Sequence, residues 1–335
     1  MARHPWVAAA DDGIRWGVQL IVPDAPGAIR ELVRTARRVE ALGYDLLSIF
    51  DHPLLHVEPW VALSGIATAT DRIRLGSTVN CARYRHPMHL ARLAADLDNL
   101  SGGRHVLGLG SGWLPREFAA LGLDFGTLKE RQASLEDTLA IVTRLLGGET
   151  VDHQGSVFST TDAVVTPRPT QSPRPPILVG GSGEKVTLRQ VARWAEACNV
   201  KEDESLADDA IPDATRAAGV RRKLDALDGH LDALGRPRDE VLRTHFTLYL
   251  LLAETQAAAD AKMAALDTSA STSPGTRAGG RSQILVASVD RAVGYYQAMV
   301  DAGIDYLVVQ LDGTDAETIE LLATAVAPRV ARREP

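Results

Sequence analysis

Asp51 and His52 arrive together at the end of an apolar run, Leu46-Leu47-Ser48-Ile49-Phe50, and Pro53 follows them directly. An imidazole titrates near neutrality, so His52 is a candidate proton donor or acceptor. The alternative is a loop histidine whose hydrogen bonds are satisfied. A second stretch, Val179-Gly180-Gly181-Ser182-Gly183-Glu184-Lys185, leads from an apolar run into a helical pattern. Glycines there let backbone N–H groups approach an anion at the positive end of a helix, which suits a phosphate. The spacing is not that of a P-loop, and a tight turn is the alternative. A third stretch, Gly108-Leu109-Gly110-Ser111-Gly112-Trp113, brings backbone close either to something flat and bulky or to a neighbouring strand.

These stretches need elements to hold them. Short apolar runs at 15–22, 44–50, 73–79, 104–110, 176–180, 197–200, 243–253 and 304–311 read as eight strands. Between them, apolar residues recur at helical spacing, as at Ile29, Leu32, Val33, Ala36 and Val39 or at Leu90, Leu93, Ala94 and Leu97. Thr127 with Glu130 forms a capping-box pattern, and Thr314 with Glu317 reads as the cap of the last helix. Eight strands alternating with helices predict a parallel sheet closed into a TIM-type (β/α)8 barrel with insertions. A doubly wound open sheet is the alternative, but no dinucleotide fingerprint follows the first strand.

In a barrel the strand ends meet at one mouth. That brings Asp51-His52 together with Thr78-Val79-Asn80-Cys81, Gly110-Ser111-Gly112-Trp113, the glycines at 180–183, and Gln310 and Asp312. His86, before Pro87, reads as a loop or capping residue. The acidic run 201–209 reads as a solvated face. Residues 147–176 read as a hairpin with a Pro-rich connector. Residues 267–283, rich in Ser, Thr, Gly and Ala, read as a linker or a mobile lid over the mouth.

The bulk numbers narrow the field. The 335 residues are 45% hydrophobic and 24% charged, with a net charge of −7, which argues against a nucleic-acid partner. Two cysteines, Cys81 and Cys198, make neither a disulfide framework nor a metal site. No apolar run approaches a membrane span, and the N-terminus has no signal-like core, so the expected location is cytoplasmic.

The succession WGVQL, ALGYDLLSIFDH, DRIRLGSTV, YRHPMHLARLAADLDNLSGGRHVLGLGSGW, EFAALGLDF, PPILVGGSGEK and AGIDYLVVQL resembles the bacterial luciferase-like superfamily. It is most similar to the branch of oxidoreductases that use the deazaflavin coenzyme F420. The similarity is dense over 14–200 and returns over 289–330. It implies one luciferase-like barrel domain over 1–335, with a core at 14–330 and insertions at 147–176 and 254–288. It implies a cofactor ring in the mouth, its phosphate tail at the glycine turn, and a non-proline cis peptide at or beside Thr78–Val79. Carried over position by position, the cofactor residues are Asp51, Thr78, Val79, Asn80, Gly110, Ser111, Gly112, Trp113, Gly180, Gly181, Ser182, Gly183 and Glu184, with His52 as the acid or base and no metal. Trp113 stands where deazaflavin sugar-phosphate dehydrogenases place a carboxylate, which argues against a sugar phosphate.

The expected function is hydride transfer between coenzyme F420 and a small organic substrate by a homodimer. The alternatives are an FMN-dependent monooxygenase and a non-catalytic flavin-binding relative.

Overall fold

The computed structural model describes residues 3–22, 25–203, 211–268 and 284–332. The expected lid at 267–283 lies, apart from the last helical residues, outside the described residues, as do 204–209 of the acidic run.

The chain opens with α1 (Pro5–Ala8) and β1 (Arg15–Ile21), then alternates α2 (Ala28–Ala41), β2 (Leu46–Ile49), α3 (Pro59–Ala67), β3 (Arg74–Ser77), the short β4 (Asn80–Cys81), α4 (Pro87–Leu100) and β5 (His105–Gly110). It continues through α5 (Pro115–Ala120), α6 (Leu128–Leu146), the β6 (Val151–Gln154) and β7 (Ser159–Ala163) hairpin, β8 (Ile177–Gly180), α7 (Thr187–Trp194), β9 (Ala197–Val200) and α8 (Asp213–Ala233). Last come β10 (Leu242–Thr247), β11 (Leu250–Ala253), α9 (Gln256–Thr268), β12 (Leu285–Ser288), α10 (Val289–Asp301), β13 (Tyr306–Asp312) and α11 (Ala316–Leu321).

The eight expected barrel strands are present. Parallel pairing runs β3-β2-β1-β13-β10-β9-β8-β5, and a β3–β5 pairing closes the cylinder. These strands are buried along most of their length, as parallel strands covered on both faces must be. The helices supply the outer cover: α2, for example, turns Leu32, Thr35, Ala36 and Val39 inward at helical spacing. Inside the cylinder, Trp6 and Val7 of α1 pack against Leu46, Val106, Leu178, Tyr306 and Val308, with the Trp6 and Tyr306 rings edge-on at 5.9 Å. The N-terminal helix therefore plugs the bottom of the barrel, and a ligand must enter at the opposite, C-terminal end of the strands.

Three expectations about elements are corrected. The seventh run, 243–253, is two strands: β10 stays in the barrel, while β11 leaves it and pairs in parallel with β12. The run holds no Gly or Pro to mark a break; the branch is set by Tyr249, whose carbonyl accepts from Leu285 N–H. The last helix is capped by Asp315, which accepts from Thr318 N–H. Thr314 instead donates to Asp312, and Glu317 pairs with Lys262. The start of the acidic run is not a free solvated face, for Glu202 holds Arg216 and the Tyr295 hydroxyl, and Asp203 holds Arg222 and Lys223.

The Thr127–Glu130 capping box and the hairpin with its Pro-rich connector are present as expected. The Thr78–Val79 peptide is cis, as the resemblance implied.

Candidate active site

His52 leaves the end of β2 and half-buries its ring between Phe50 and Trp113, edge-on to both at 5.2 and 5.6 Å. Its Nδ1 lies 2.8 Å from Oε2 of Glu117, a fully buried carboxylate on α5. The Tyr84 hydroxyl donates to the same oxygen at 2.8 Å, and Leu54 N–H reaches Oε1 at 3.5 Å. A buried carboxylate needs such partners, and here they come from two loops, the one after β2 with His52 and Leu54 and the one after β4 with Tyr84. Burial, then the neighbouring Cys81 and Glu117, holds the Tyr84 phenol well above its ordinary range, so it remains a donor. With Nδ1 engaged, the Nε2 of His52 meets no acceptor or donor among the described residues. It is the ring nitrogen available to a ligand.

Asp51, one residue earlier, does something different. Its carboxylate accepts from both guanidinium nitrogens of Arg85, at 2.7 and 3.2 Å, and from Cys81 N–H at 3.2 Å. Arg85 is further tied to Glu58. Asp51 thus holds the loop after β4 in place. His56, four residues beyond His52, accepts Val22 N–H on Nε2. Burial, then the nearby His52, pushes its pKa down to about 4, so it stays neutral and structural.

These residues frame a cavity of about 540 Å³ at the C-terminal mouth. Its floor is polar, made by Gln19, Thr78, Asn199 and Gln310; Gln19 donates to Thr78, and Thr78 also shares a hydrogen bond with Ser48. Of the expected site residues, Asp51, His52, Thr78, Val79, Gly110, Ser111, Gly112, Trp113, Gly180, Gly181 and Ser182 line this cavity together. Asn80 is buried beneath it and donates to the Gly108 carbonyl. Gly183 and Glu184 line a neighbouring groove of about 1150 Å³, and Glu184 pairs with Arg222. Ser182 and Lys201 border both spaces, so cavity and groove adjoin at the glycine turn.

That turn fits an anionic cofactor tail, although not through every residue expected. Gly181 gives its N–H to the Asn199 carbonyl. The N–H groups of Ser182, Gly183, Glu184 and Lys185 meet no acceptor among the described residues. Just before α7, such unpaired donors are the kind of nest an anion occupies. A ring in the cavity with a tail running through the turn into the groove is compatible with both spaces.

Glu117, Tyr84 and Arg85 are the parts that sequence reading did not pick out. Glu117 stands one turn beyond the GSGW stretch, on a helix of only six residues, and nothing in its spacing ties it to His52. Gln19 and Asn199, in the middle of apolar strands, were the available signals for a polar floor, since a polar side chain at a buried strand position must find a partner. Cys81 also lines the cavity, but burial pushes its thiol up to about 12, so it holds no thiolate.

A closed parallel barrel carries at its mouth a histidine–carboxylate pair and a glycine turn with open backbone donors. Residues 19–330 match the model of the luciferase-like monooxygenase family, and the chain belongs to that family. It is 31% identical over 224 residues to the F420-dependent glucose-6-phosphate dehydrogenase of Microbacterium testaceum, covering 63% of this chain and 61% of that protein. To the protein of the same name from Amycolatopsis mediterranei it is 27% identical over 304 residues, covering 86% and 90% of the two chains. Among solved structures, the coenzyme F420-dependent tetrahydromethanopterin reductase of Methanopyrus kandleri superposes with a TM-score of 0.74 at 19% identity, over 95% of this chain and 99% of the other, a likeness of fold.

Proposed function

We propose that this chain is an oxidoreductase that moves a hydride between coenzyme F420 and a small organic substrate, with His52 holding the proton that must move with it. The observation that carries the reading is the His52–Glu117 pair in the wall of the mouth cavity, Nδ1 fixed on a buried carboxylate and Nε2 left for a ligand. Relatives named as F420-dependent dehydrogenases support the choice of cofactor. When bound, the deazaflavin supplies two-electron hydride chemistry. The chain supplies the rest. Thr78, Val79 and the Gly110–Trp113 stretch bound the space for the ring. Ser182, Gly183 and Glu184 offer backbone donors to the tail. Asp51, through Arg85 and Cys81, keeps the wall in place, and Glu117 fixes the tautomer and aim of His52.

The rival within the family is an FMN-dependent monooxygenase, in keeping with the family's name. A non-catalytic flavin-binding protein would keep the turn and lack turnover. Titrating the purified protein separately with coenzyme F420 and FMN decides between the cofactors. Tighter binding of the deazaflavin is expected; micromolar FMN binding with no detectable deazaflavin binding would overturn the reading.

The chain acts as a single barrel domain, in the cytoplasm and as a homodimer, which sedimentation of the purified protein tests. Two free, buried cysteines agree with a reducing compartment, and no helix among the described residues is long and apolar enough to cross a membrane.

A further inference from the structure

The cavity has two unlike sides. At the glycine turn it is polar: Ser182 accepts from the backbone N–H of Lys201, and Lys201 is the one cation among the described residues that lines the cavity. Around His52 the lining is apolar: Phe50, Leu55 and Trp113, with Phe246 on β10 and Leu248 just beyond it extending the apolar surface toward Lys201. Behind that wall stands a second apolar layer, in which Phe50 and Leu55 pack with Tyr249, Leu251, Met263 and Ile284. The charges that do approach His52 are already matched. Arg85 is held by Asp51 and Glu58, and Glu117 by His52 and Tyr84. Among the described residues the rim is apolar and exposed: Trp113, edge-on to His52, is 56% exposed, and Leu54, whose N–H reaches Glu117, is 46% exposed.

We propose that this wall is a subsite for an uncharged, predominantly apolar alcohol or carbonyl compound, an inference that rests on the hydride-transfer reading above. A phosphate or carboxylate placed beside His52 would lose its water and meet no Lys or Arg side chain left unmatched on that side, which is unfavourable. An apolar body would instead cover Trp113 and Leu54 and remove them from water, while its one oxygen met Nε2 of His52. The polar end at Lys201 and Ser182 is left for the cofactor. The site therefore selects against the phosphorylated sugar named for the dehydrogenase relatives, by the charge it lacks and the apolar surface it presents.

The test is a series of methyl ketones, 2-butanone, 2-hexanone and 2-octanone, titrated calorimetrically into the full chain with and without coenzyme F420, alongside glucose 6-phosphate. Affinity is expected to rise roughly threefold to fourfold per added methylene, the scale of apolar burial. Glucose 6-phosphate is expected not to saturate. Trp113→Glu, at an exposed position, should flatten the series, with an unchanged urea unfolding midpoint showing that the fold is kept. A chain-length-independent affinity, or tighter binding of glucose 6-phosphate than of 2-octanone, would overturn the proposal. A rising series in the unloaded protein together with failure to bind coenzyme F420 would support the apolar subsite and remove the cofactor reading, so the two failures are separable.

Discussion

At the scale of single residues, the site is a division of labour between neighbours. Asp51 and His52 leave one strand in succession and so face different ways. Asp51 turns to Arg85 and the β4 backbone, and His52 turns to Glu117 and the cavity. Replacing His52 by alanine should leave cofactor affinity within a few-fold and lower turnover by roughly 100-fold or more, the usual scale of acid–base catalysis. Loss of cofactor binding with turnover intact at saturation would make His52 a binding residue. Glu117 acts through His52 rather than on the substrate. Glu117→Gln keeps the volume and part of the hydrogen bonding, so it should lower kcat by about tenfold to a hundredfold while KM and cofactor Kd stay within about threefold. A change confined to KM or to stability would reduce Glu117 to a structural support.

At the scale of elements, the mouth depends on how closely β3 and β5 approach. A side chain begun at Gly108 would place its Cβ 1.8 Å from the Ser77 carbonyl oxygen, a backbone atom that cannot step aside. Gly108→Ala should therefore cost more than about 3 kcal/mol or prevent folding, read from urea unfolding. Gly229 is the opposite case: it sits inside α8 with nothing within 4 Å of a Cβ. Gly229→Ala should raise stability by about 0.5–1 kcal/mol, because alanine is the better helix former and loses less chain entropy. The β11–β12 pair is a third such element. Lys262 of α9 reaches the Leu252 carbonyl, Asp315 and Thr318, and so ties α9 and α11 to that small sheet above the barrel.

At the scale of the whole molecule, burial of histidines makes stability depend on pH. His56, His105 and His245 are each pushed down to about 4, burial being the largest cause for all three. Unfolded, each would titrate near 6.5. Between these values the unfolded chain binds protons that the native chain does not, so stability rises with pH there. The contribution is fully present above about pH 6.5 and is lost as pH falls toward 4. His4 is also pushed down by burial, so unfolding free energy measured by urea titration from pH 7 to 4.5 should decline, with a limiting slope that corresponds to about three protons or more taken up. A flat profile over that range would mean that these imidazoles are protonated in the native state.

The barrel was legible in the sequence because its causes are local and repeated: apolar runs of strand length, helical faces between them, and caps such as Thr127 with Glu130. The strand ends that meet at the mouth were legible for the same reason, since barrel closure brings each of them to one rim whatever the intervening lengths. His52, Thr78, Val79, Trp113 and the 180–182 turn fall together on that account. What the sequence could not show is pairing between residues far apart in the chain. Glu117 meets His52 across 65 positions, Arg85 meets Asp51 across 34, and Asn199 takes the N–H of Gly181 and so withdraws it from any anion at the turn. Which ring nitrogen is left open, which backbone donors stay unpaired and which wall of the cavity carries no charge are set by those long-range contacts. A side chain's partners depend on the distance and dielectric that folding creates, and neither is written in residue type or spacing.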